Sequence, residues 1–119
     1  MGKGKERQAA DMWCPITAAT EVLGRRWRLV LVDRLMGGSK RFNEIKGLMP
    51  GISSKVLADT LRDMEREGLI VRSVSMGPPI HVFYSLTKKG AELSKVLRDF
   101  RAWSEKWLSN EAGSPKKHE

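Results

Sequence analysis

The sequence predicts a mainly α-helical domain that carries one small β-hairpin ahead of its last helix. Three observations support this prediction. Apolar residues recur at three- and four-residue spacing through most of the chain, as they do on the inner faces of amphipathic helices. The alternating residues Val82, Tyr84 and Leu86 favour a strand instead. Clusters of Gly and Pro separate these segments, as is typical of turns between elements.

Four helices are predicted before the hairpin. The first spans about 15–24 and opens on a proline, which suits the first turn of a helix. The second spans about 25–36 and ends at two glycines. A short third helix begins near Arg41, and a tight turn follows at 49–52.

The fourth helix is the most informative one. It runs from Ser53 to Glu67, with Ser53 as its N-cap and Gly68 closing it. Its predicted apolar stripe consists of Val56, Leu57, Leu61 and Met64.

The hairpin and the last helix complete the chain. Residues 69–75 are rich in β-branched side chains and predict a strand, which breaks at 76–79 before the return strand. Thr87 caps a long helix that runs to about Leu108. Two helices joined by a turn and followed by a hairpin form the winged helix-turn-helix plan.

This plan gives the domain organisation. We expect residues 13–108 to form the winged helix-turn-helix domain, including a C-terminal dimerisation helix at about 88–108. Residues 1–12 are a predicted flexible N-terminal arm, and residues 109–119 are a polar tail. A length of 119 residues suits one compact domain.

Basic residues outnumber acidic ones within the domain and not only in the tails. The whole chain has 22 Lys and Arg against 14 Asp and Glu, a formal net charge of +8. Residues 14–108 alone contain 17 Lys and Arg and 10 Asp and Glu, so a net charge of +7 belongs to the domain. Such a domain attracts polyanions, nucleic acid first and an anionic membrane second. A basic surface that serves only solubility is the alternative.

The single cysteine, Cys14, limits the possible chemistry. One thiol forms neither an internal disulfide nor a cysteine-rich zinc site, and the histidines His81 and His118 lie far from it in the sequence. The sequence also has no Gly-rich phosphate loop and no convincing nucleophile–base arrangement. We therefore expect no metal, no cofactor and no enzymatic activity. Because no signal-peptide or membrane-spanning run occurs, we expect a cytoplasmic protein that does not bind membranes.

Five motifs, in order over roughly residues 13–108, resemble the HxlR-type family of winged helix-turn-helix regulators. Their order along one chain makes the resemblance specific. The motifs are Cys14-Pro15, Gly24-Arg25-Arg26-Trp27, Arg41-Phe42-Asn43-Glu44-Ile45 with Pro50-Gly51-Ile52-Ser53, Glu67-Gly68-Leu69-Ile70-Val71-Arg72, and Pro78-Pro79 followed by Tyr84-Ser85-Leu86-Thr87 and Gly90.

The resemblance implies a bacterial or archaeal repressor or activator that acts as a dimer. It also implies that a cysteine at the position of Cys14 senses electrophiles or oxidants in some members. The wing departs from the family pattern, in which a basic and an acidic residue usually stand between the prolines and the tyrosine. The departure puts the usual salt bridge and the basic DNA contact of the wing in doubt. The residues found there, with one extra position, are Ile80, His81, Val82 and Phe83.

The outer side of the fourth helix is the candidate base-reading surface. Lys and Arg donate to guanine edges, Ala tolerates a thymine methyl group, and Asp accepts from cytosine. An ordinary solvated face with an Asp59–Arg62 ion pair is the alternative, but the turn, the hairpin and the basic excess favour DNA. The predicted residues are Ser54, Lys55, Ala58, Asp59 and Arg62.

Four cations at or before helix starts are candidate contacts to the DNA backbone. Such contacts position a domain without reading sequence, and simple surface solubility is the alternative for each residue. Arg28, which lies further inside its helix, could equally pair with Glu21. The four candidates are Arg25, Arg26, Lys40 and Arg41.

The last helix carries an apolar stripe close to a seven-residue repeat, which predicts a homodimer. Large aromatic residues on a terminal helix favour an interface over intrachain core, which is the alternative. The two recognition helices of the dimer would then enter successive major grooves of a palindromic duplex operator. The predicted interface residues are Trp13, Leu93, Val96, Phe100, Trp103 and Trp107.

Two further interpretations stay open. The first is a thiol-responsive regulator, because a helix N-terminus near Cys14 would favour the reactive thiolate. Burial of the sulfur beside Trp13 would instead make it a packing residue. The second is a winged-helix protein-interaction module without a specific DNA site. No feature of the sequence identifies a small-molecule effector.

Overall fold

The computed structural model describes residues 13–24 and 26–108, and it confirms the predicted mainly helical fold with a single hairpin. The order of elements is the predicted one. In the described ranges, no helix is long and apolar enough to cross a membrane. The elements are α1 (Pro15–Leu23), α2 (Arg26–Arg34), α3 (Phe42–Gly47), α4 (Ser54–Arg66), β1 (Ile70–Ser75), β2 (His81–Leu86) and α5 (Lys88–Trp107).

Local signals in the sequence set the bounds of the two longest helices. The Ser53 hydroxyl accepts a hydrogen bond from the Val56 N–H at 3.0 Å, and the Thr87 hydroxyl accepts from the Gly90 N–H at 3.1 Å. Both predicted N-caps are therefore confirmed. Gly68 follows α4 with a φ of +80°, a conformation that costs a glycine little, so it ends the helix as predicted.

The hydrophobic core lies between α2, α3, α4 and the root of the hairpin. Helix α5 contributes one buried apolar side chain, Leu97, to this core. Its Leu93 packs against the core but is only partly buried. The buried residues are Leu31, Val32, Leu35, Ile45, Met49, Ile52, Leu57, Leu61, Met64, Leu69, Ile70 and Leu97.

One member of the predicted stripe on α4 does not reach this core. Leu57, Leu61 and Met64 are at most 2% exposed, whereas Val56 is 42% exposed. The reason is helical geometry, since adjacent residues point about 100° apart. With Leu57 facing the core, Val56 lies at the edge of the face, and its inclusion in the stripe was wrong.

The return strand of the hairpin is bonded to the loop before α3. Its two strands pair antiparallel, from Ile70 opposite Leu86 to Ser75 opposite His81. On the other side of β2, the Lys40 N–H donates to the Tyr84 carbonyl at 2.9 Å, and the Tyr84 N–H donates back at 2.8 Å. The loop before α3 and the hairpin are therefore held together by backbone hydrogen bonds.

Helix α5 is held against the domain at two places. Near its start, Gly90 lies so close to the main chain that a Cβ atom there would be 2.2 Å from the Leu69 carbonyl oxygen. Further along, Arg101 forms an ion pair with Asp33 of α2 at 2.6 Å. Because the main chain of Leu69 comes so close, only glycine, which has no side chain, fits at position 90.

A buried arginine joins three helices. The guanidinium of Arg28 is 2.6 Å from a Glu67 carboxylate oxygen and donates to the Val22 carbonyl at 2.7 Å. The residue is 7% exposed, so its charge is compensated where solvent is largely excluded. The suggested pairing with Glu21 is therefore wrong, because Arg28 points towards the end of α4.

Candidate nucleic-acid interface

The outer face of α4 is presented to solvent by the burial of its inner face. The buried residues Leu57, Leu61 and Met64 fix the rotation of the helix about its axis. The polar residues on the other side are therefore held in one orientation. Ser54, Lys55 and Arg62 are exposed, and Ala58 and Asp59 are half-buried, so the five predicted base-reading residues lie on one accessible surface.

Asp59 holds both cations of this surface. Its Oδ2 atom is 3.1 Å from Nζ of Lys55, and its Oδ1 atom is 3.0 Å from Nη1 of Arg62. Hydrogen bonds from these two side chains, the one from Lys55 first, lower the pKa of Asp59 below its usual range. The Asp59–Arg62 pair considered for an ordinary solvated face is thus present, together with a second one.

A cleft of about 170 Å³ separates α4 from the hairpin, and it contains a cation that the sequence analysis missed. Arg72 of β1 lies there beside Ala58 and Arg62, with Tyr84 opposite it across the hairpin. The Arg72 side chain is exposed and forms no ion pair or hydrogen bond with the described residues. Strand alternation could have identified it, since Arg72 is two positions beyond the buried Ile70.

The predicted backbone-binding cations are spread around this surface. Arg41 is exposed at the N-cap of α3 and lines a second cleft together with His81 of the hairpin. Lys40 is half-buried beside the hairpin. The exposed Arg26 guanidinium lies 4.6 Å from the centre of the Trp27 ring, and Arg25 lies outside the described residues.

The predicted dimer residues form an exposed apolar stripe on α5. The exposed fractions of Val96, Phe100, Trp103 and Trp107 are 58%, 55%, 53% and 47%. Phe100 and Trp103 stack with their ring centres 6.5 Å apart. Leu93 is half-buried and packs against the core, so it lies at the boundary between the core and this stripe.

Trp13 stands apart from the stripe within one chain. It is 67% exposed, and it makes no ring contact with the aromatic residues in the described part of the chain. Its predicted place in the interface therefore depends on a second copy of the chain.

Cys14 is the N-cap of α1 and is half-buried. The Thr17 N–H and hydroxyl and the Ile16 N–H lower the pKa of the Cys14 thiol, although none of them reaches it in a regular capping hydrogen bond. The sulfur is therefore not sealed in the core. In the described ranges, no group of three or more His, Cys, Asp or Glu residues could hold a metal ion.

These elements define a class of protein. A turn joins α3 to the exposed α4, and a hairpin lies beside them, which is the arrangement of a winged helix-turn-helix protein. The profile of the HxlR-like helix-turn-helix family matches residues 22–112. The chain belongs to this family of transcriptional regulators, which are not enzymes, and the resemblance stated from the motifs is confirmed.

The chain is similar to curated relatives and to solved structures along most of their length. The chain is 36% identical to the HTH-type transcriptional regulator YvaP of Bacillus subtilis, covering 80% of this chain and 89% of the relative. It is 38% identical to the HTH-type transcriptional regulator YodB of the same organism, and the match covers 79% of this chain and 85% of YodB. The reduced form of YodB superimposes with a TM-score of 0.72 at 37% identity, over 82% of this chain and 97% of that one.

Some of the similar structures are of a redox regulator or of a regulator treated with thiol-reactive compounds. The redox regulator HypR in its reduced form has a TM-score of 0.74 at 33% identity, covering 82% of this chain and 94% of that one. YodB has also been solved after diamide treatment and with a bound quinone. These descriptions apply to YodB and HypR.

Proposed function

We propose that this protein is a sequence-specific regulator that binds double-stranded DNA as a homodimer on a palindromic operator. One observation carries the proposal: burial of the inner face of α4 turns its polar face outward beside the hairpin, on a domain with an excess of seven positive charges. A major groove admits one α-helix. As a regulator of transcription it would act in the cytoplasm, where the chromosome of a bacterium or archaeon lies.

The chemistry of the α4 face fits base edges. The ammonium group of Lys55 and the guanidinium of Arg62 donate to guanine, and the Asp59 carboxylate accepts from the cytosine amino group. Ala58 leaves room for a thymine methyl group, and the Ser54 hydroxyl donates or accepts. These side chains lie on the N-terminal and central turns of the helix, which are the turns that contact bases in helix-turn-helix complexes.

The surrounding cations suit phosphate contacts. Arg26, Lys40 and Arg41 lie at or before helix starts, and Arg25 would join them. Arg72 extends this set into the cleft between α4 and the hairpin. Phosphate contacts fix the position of the domain on the duplex and carry no sequence information.

Selection of bound fragments from random duplex DNA tests specific binding. We expect one sequence to be recovered and to bind at least about a thousand times more tightly than a scrambled duplex. Arg62→Ala should cost about 1–3 kcal/mol and relax preference at one position, whereas Arg41→Ala should weaken all sequences alike and flatten the salt dependence. Weak binding without preference would instead indicate a protein-interaction module.

The proposed homodimer rests on the exposed stripe of α5. Four large apolar side chains that are about half exposed, on one helix, are typical of an interface that a single chain leaves uncovered. Residues 13–108 would supply both the DNA-binding and the dimerising parts, and the predicted arm 1–12 and tail 109–119 lie outside the described residues. Sedimentation equilibrium at micromolar concentration tests this assembly, and a monomer there would refute it.

A second function, thiol sensing through Cys14, is favoured by the thiol's accessible place at the start of α1. The nearby donors lower its pKa, so more thiolate is present near neutral pH than in an ordinary cysteine. The redox regulator HypR, solved in its oxidised form, and YodB, solved with a bound quinone, point in the same direction. Because no second cysteine exists, oxidation would give a disulfide to the partner subunit or to a small thiol, and a quinone would alkylate the sulfur.

Two measurements test the sensing function. The alkylation rate of Cys14 should reach half its maximum at a lower pH in the folded protein than in the urea-unfolded chain, because the folded-state pKa is lowered. Operator affinity should change after treatment with diamide or a quinone in the wild type and stay constant in Cys14→Ser. Equal affinity before and after treatment in both proteins would show that Cys14 is a packing residue.

A further inference from the structure

The two cations predicted to read bases are not free in the unbound protein. Each oxygen of the Asp59 carboxylate holds one of them, at 3.1 Å from the Lys55 ammonium and 3.0 Å from the Arg62 guanidinium. The spacing of four residues on one side and three on the other places all three groups on one helical face. The net charge of this triad is therefore +1, and not +2.

Exposure makes this triad exchangeable. The side chains of Lys55, Arg62 and Asp59 are 84%, 62% and 46% exposed. Ion pairs between exposed side chains contribute little to stability, because solvent and salt screen them and both side chains lose conformational freedom. An acceptor supplied by DNA can therefore replace the carboxylate as the partner of either cation at little cost.

The exchange has different consequences on different DNA sequences. A matching site gives the cations guanine acceptors and gives the Asp59 carboxylate a cytosine amino donor. On a non-matching site the cations reach only phosphates, and the carboxylate faces a negatively charged surface without a donor. Since non-specific binding comes almost entirely from phosphate electrostatics, a carboxylate at this position weakens non-specific binding more than specific binding.

We propose that Asp59 sets the sequence selectivity of α4 by competing with DNA for Lys55 and Arg62. Only a site that offers acceptors to both cations and a donor to the carboxylate is then bound tightly. Asp59 is thus a selectivity residue as much as a base contact. The inference rests on the proposed DNA-binding function and adds to it the means by which wrong sites are rejected.

The chain supplies a matched control on the same helix. Asp63 forms an ion pair with Arg66 at a spacing of three residues, as Asp59 does with Arg62. This second pair lies in the last turn of α4, away from the turns that contact bases in helix-turn-helix complexes. Asp59→Asn and Asp63→Asn therefore remove the same charge from the same helix, and both substitutions are mild for helix stability.

The experiment measures binding to two duplexes across a range of KCl concentrations. One duplex is the sequence recovered by selection from a random pool, and the other is its scrambled version. For Asp59→Asn we expect affinity for the scrambled duplex to rise about tenfold and the slope of log K against log salt to steepen by about one. The ratio of specific to non-specific affinity should fall about tenfold. Asp59→Glu, which keeps the charge, should stay close to the wild type.

The outcomes separate the two proposals. A ratio for Asp59→Asn within twofold of the wild-type ratio would overturn the inference while leaving DNA binding intact. An equal fall in the ratio of specific to non-specific affinity for Asp63→Asn would also overturn the inference, because the effect would then come from net charge alone. A wild-type protein without sequence preference would overturn the proposed function itself. Thermal unfolding of each variant establishes that it is folded.

Discussion

Helices α4 and α5 begin alike and end up in different environments. Each starts at a hydroxyl N-cap, Ser53 or Thr87, and each is amphipathic. Helix α4 buries Leu57, Leu61 and Met64 almost completely, and Val56, at the edge of that face, is its one large apolar side chain that stays exposed. Helix α5 buries Leu97 and leaves a second apolar stripe, 96–107, about half exposed.

The difference shows that amphipathicity alone does not assign a helix to the core. Once the face of α4 built around Leu57 and Leu61 is buried, Val56 is the only large apolar side chain of the helix left exposed, so its mainly polar outer face is available to a polar ligand such as DNA. Helix α5 has two apolar faces, of which the domain covers one. The remaining face is suited to a second copy of the chain.

The largest expected effect comes from removing the uncovered face. Trp103→Gln combined with Trp107→Gln should give a monomer whose apparent operator affinity falls by about 10²–10⁴, because the second half-site no longer binds as part of the same molecule. Sedimentation equilibrium and gel-shift titration measure the two effects. Ala102→Gln, at another exposed position of α5, should change neither. A double variant that stays dimeric would contradict the assignment of the two faces.

The second-largest effect is expected from a substitution on the buried face of α4. Leu61→Ala should lower the free energy of unfolding by about 2–5 kcal/mol, since the site is 2% exposed and a cavity would remain. Val56→Ala, on the same helix at 42% exposure, should change it by less than about 1 kcal/mol. Guanidinium unfolding monitored by tryptophan fluorescence measures both. Equal losses would mean that Val56 belongs to the core.

A smaller effect is expected where α5 approaches the hairpin root. Gly90→Ala should destabilise the fold by about 1–3 kcal/mol, because the new Cβ would lie 2.2 Å from the Leu69 carbonyl oxygen. Gly47→Ala is the matched control, since nothing lies within 4 Å of its Cβ position. It should be neutral or stabilise by a few tenths of a kcal/mol. A harmless Gly90→Ala would show that α5 can shift on the domain.

The smallest effects compare the two caps. Ser53→Ala removes one capping hydrogen bond and should cost about 1 kcal/mol. Thr87→Ala removes a similar cap and also the hydrogen bond that its hydroxyl donates to the Gly68 carbonyl at 2.5 Å. We expect the Thr87 variant to lose more stability in thermal unfolding. The reverse order would mean that the link from α5 to the end of α4 contributes little.

The sequence was sufficient for features that depend on neighbouring residues. The N-caps, the glycine after α4 and the element order follow from local spacing, and so does the Asp59–Arg62 pair. The outer face of α4 followed from helical periodicity once Leu57 and Leu61 were assigned to the core. These features require no knowledge of how distant segments pack.

Features that join distant segments were missed or misassigned. Arg28 and Glu67 are 39 residues apart, and nothing near Arg28 in the sequence indicates this partner. Arg72 was overlooked because its place in a cleft depends on how the strand β1 packs beside helix α4. The place of Val56 depended on the rotation of α4, which the core as a whole determines.

The paired backbone hydrogen bonds between Lys40 and Tyr84 have a consequence for the operator. They join the hairpin to the loop that leads into α3, so the hairpin, α3 and α4 form one block. In the proposed dimer, this block determines which bases each half-site must contain. If α5 forms the dimer as proposed, the angle at which its two copies cross would determine how many base pairs separate the half-sites. Half-site sequence and half-site spacing can therefore evolve independently, through substitutions in different parts of the chain.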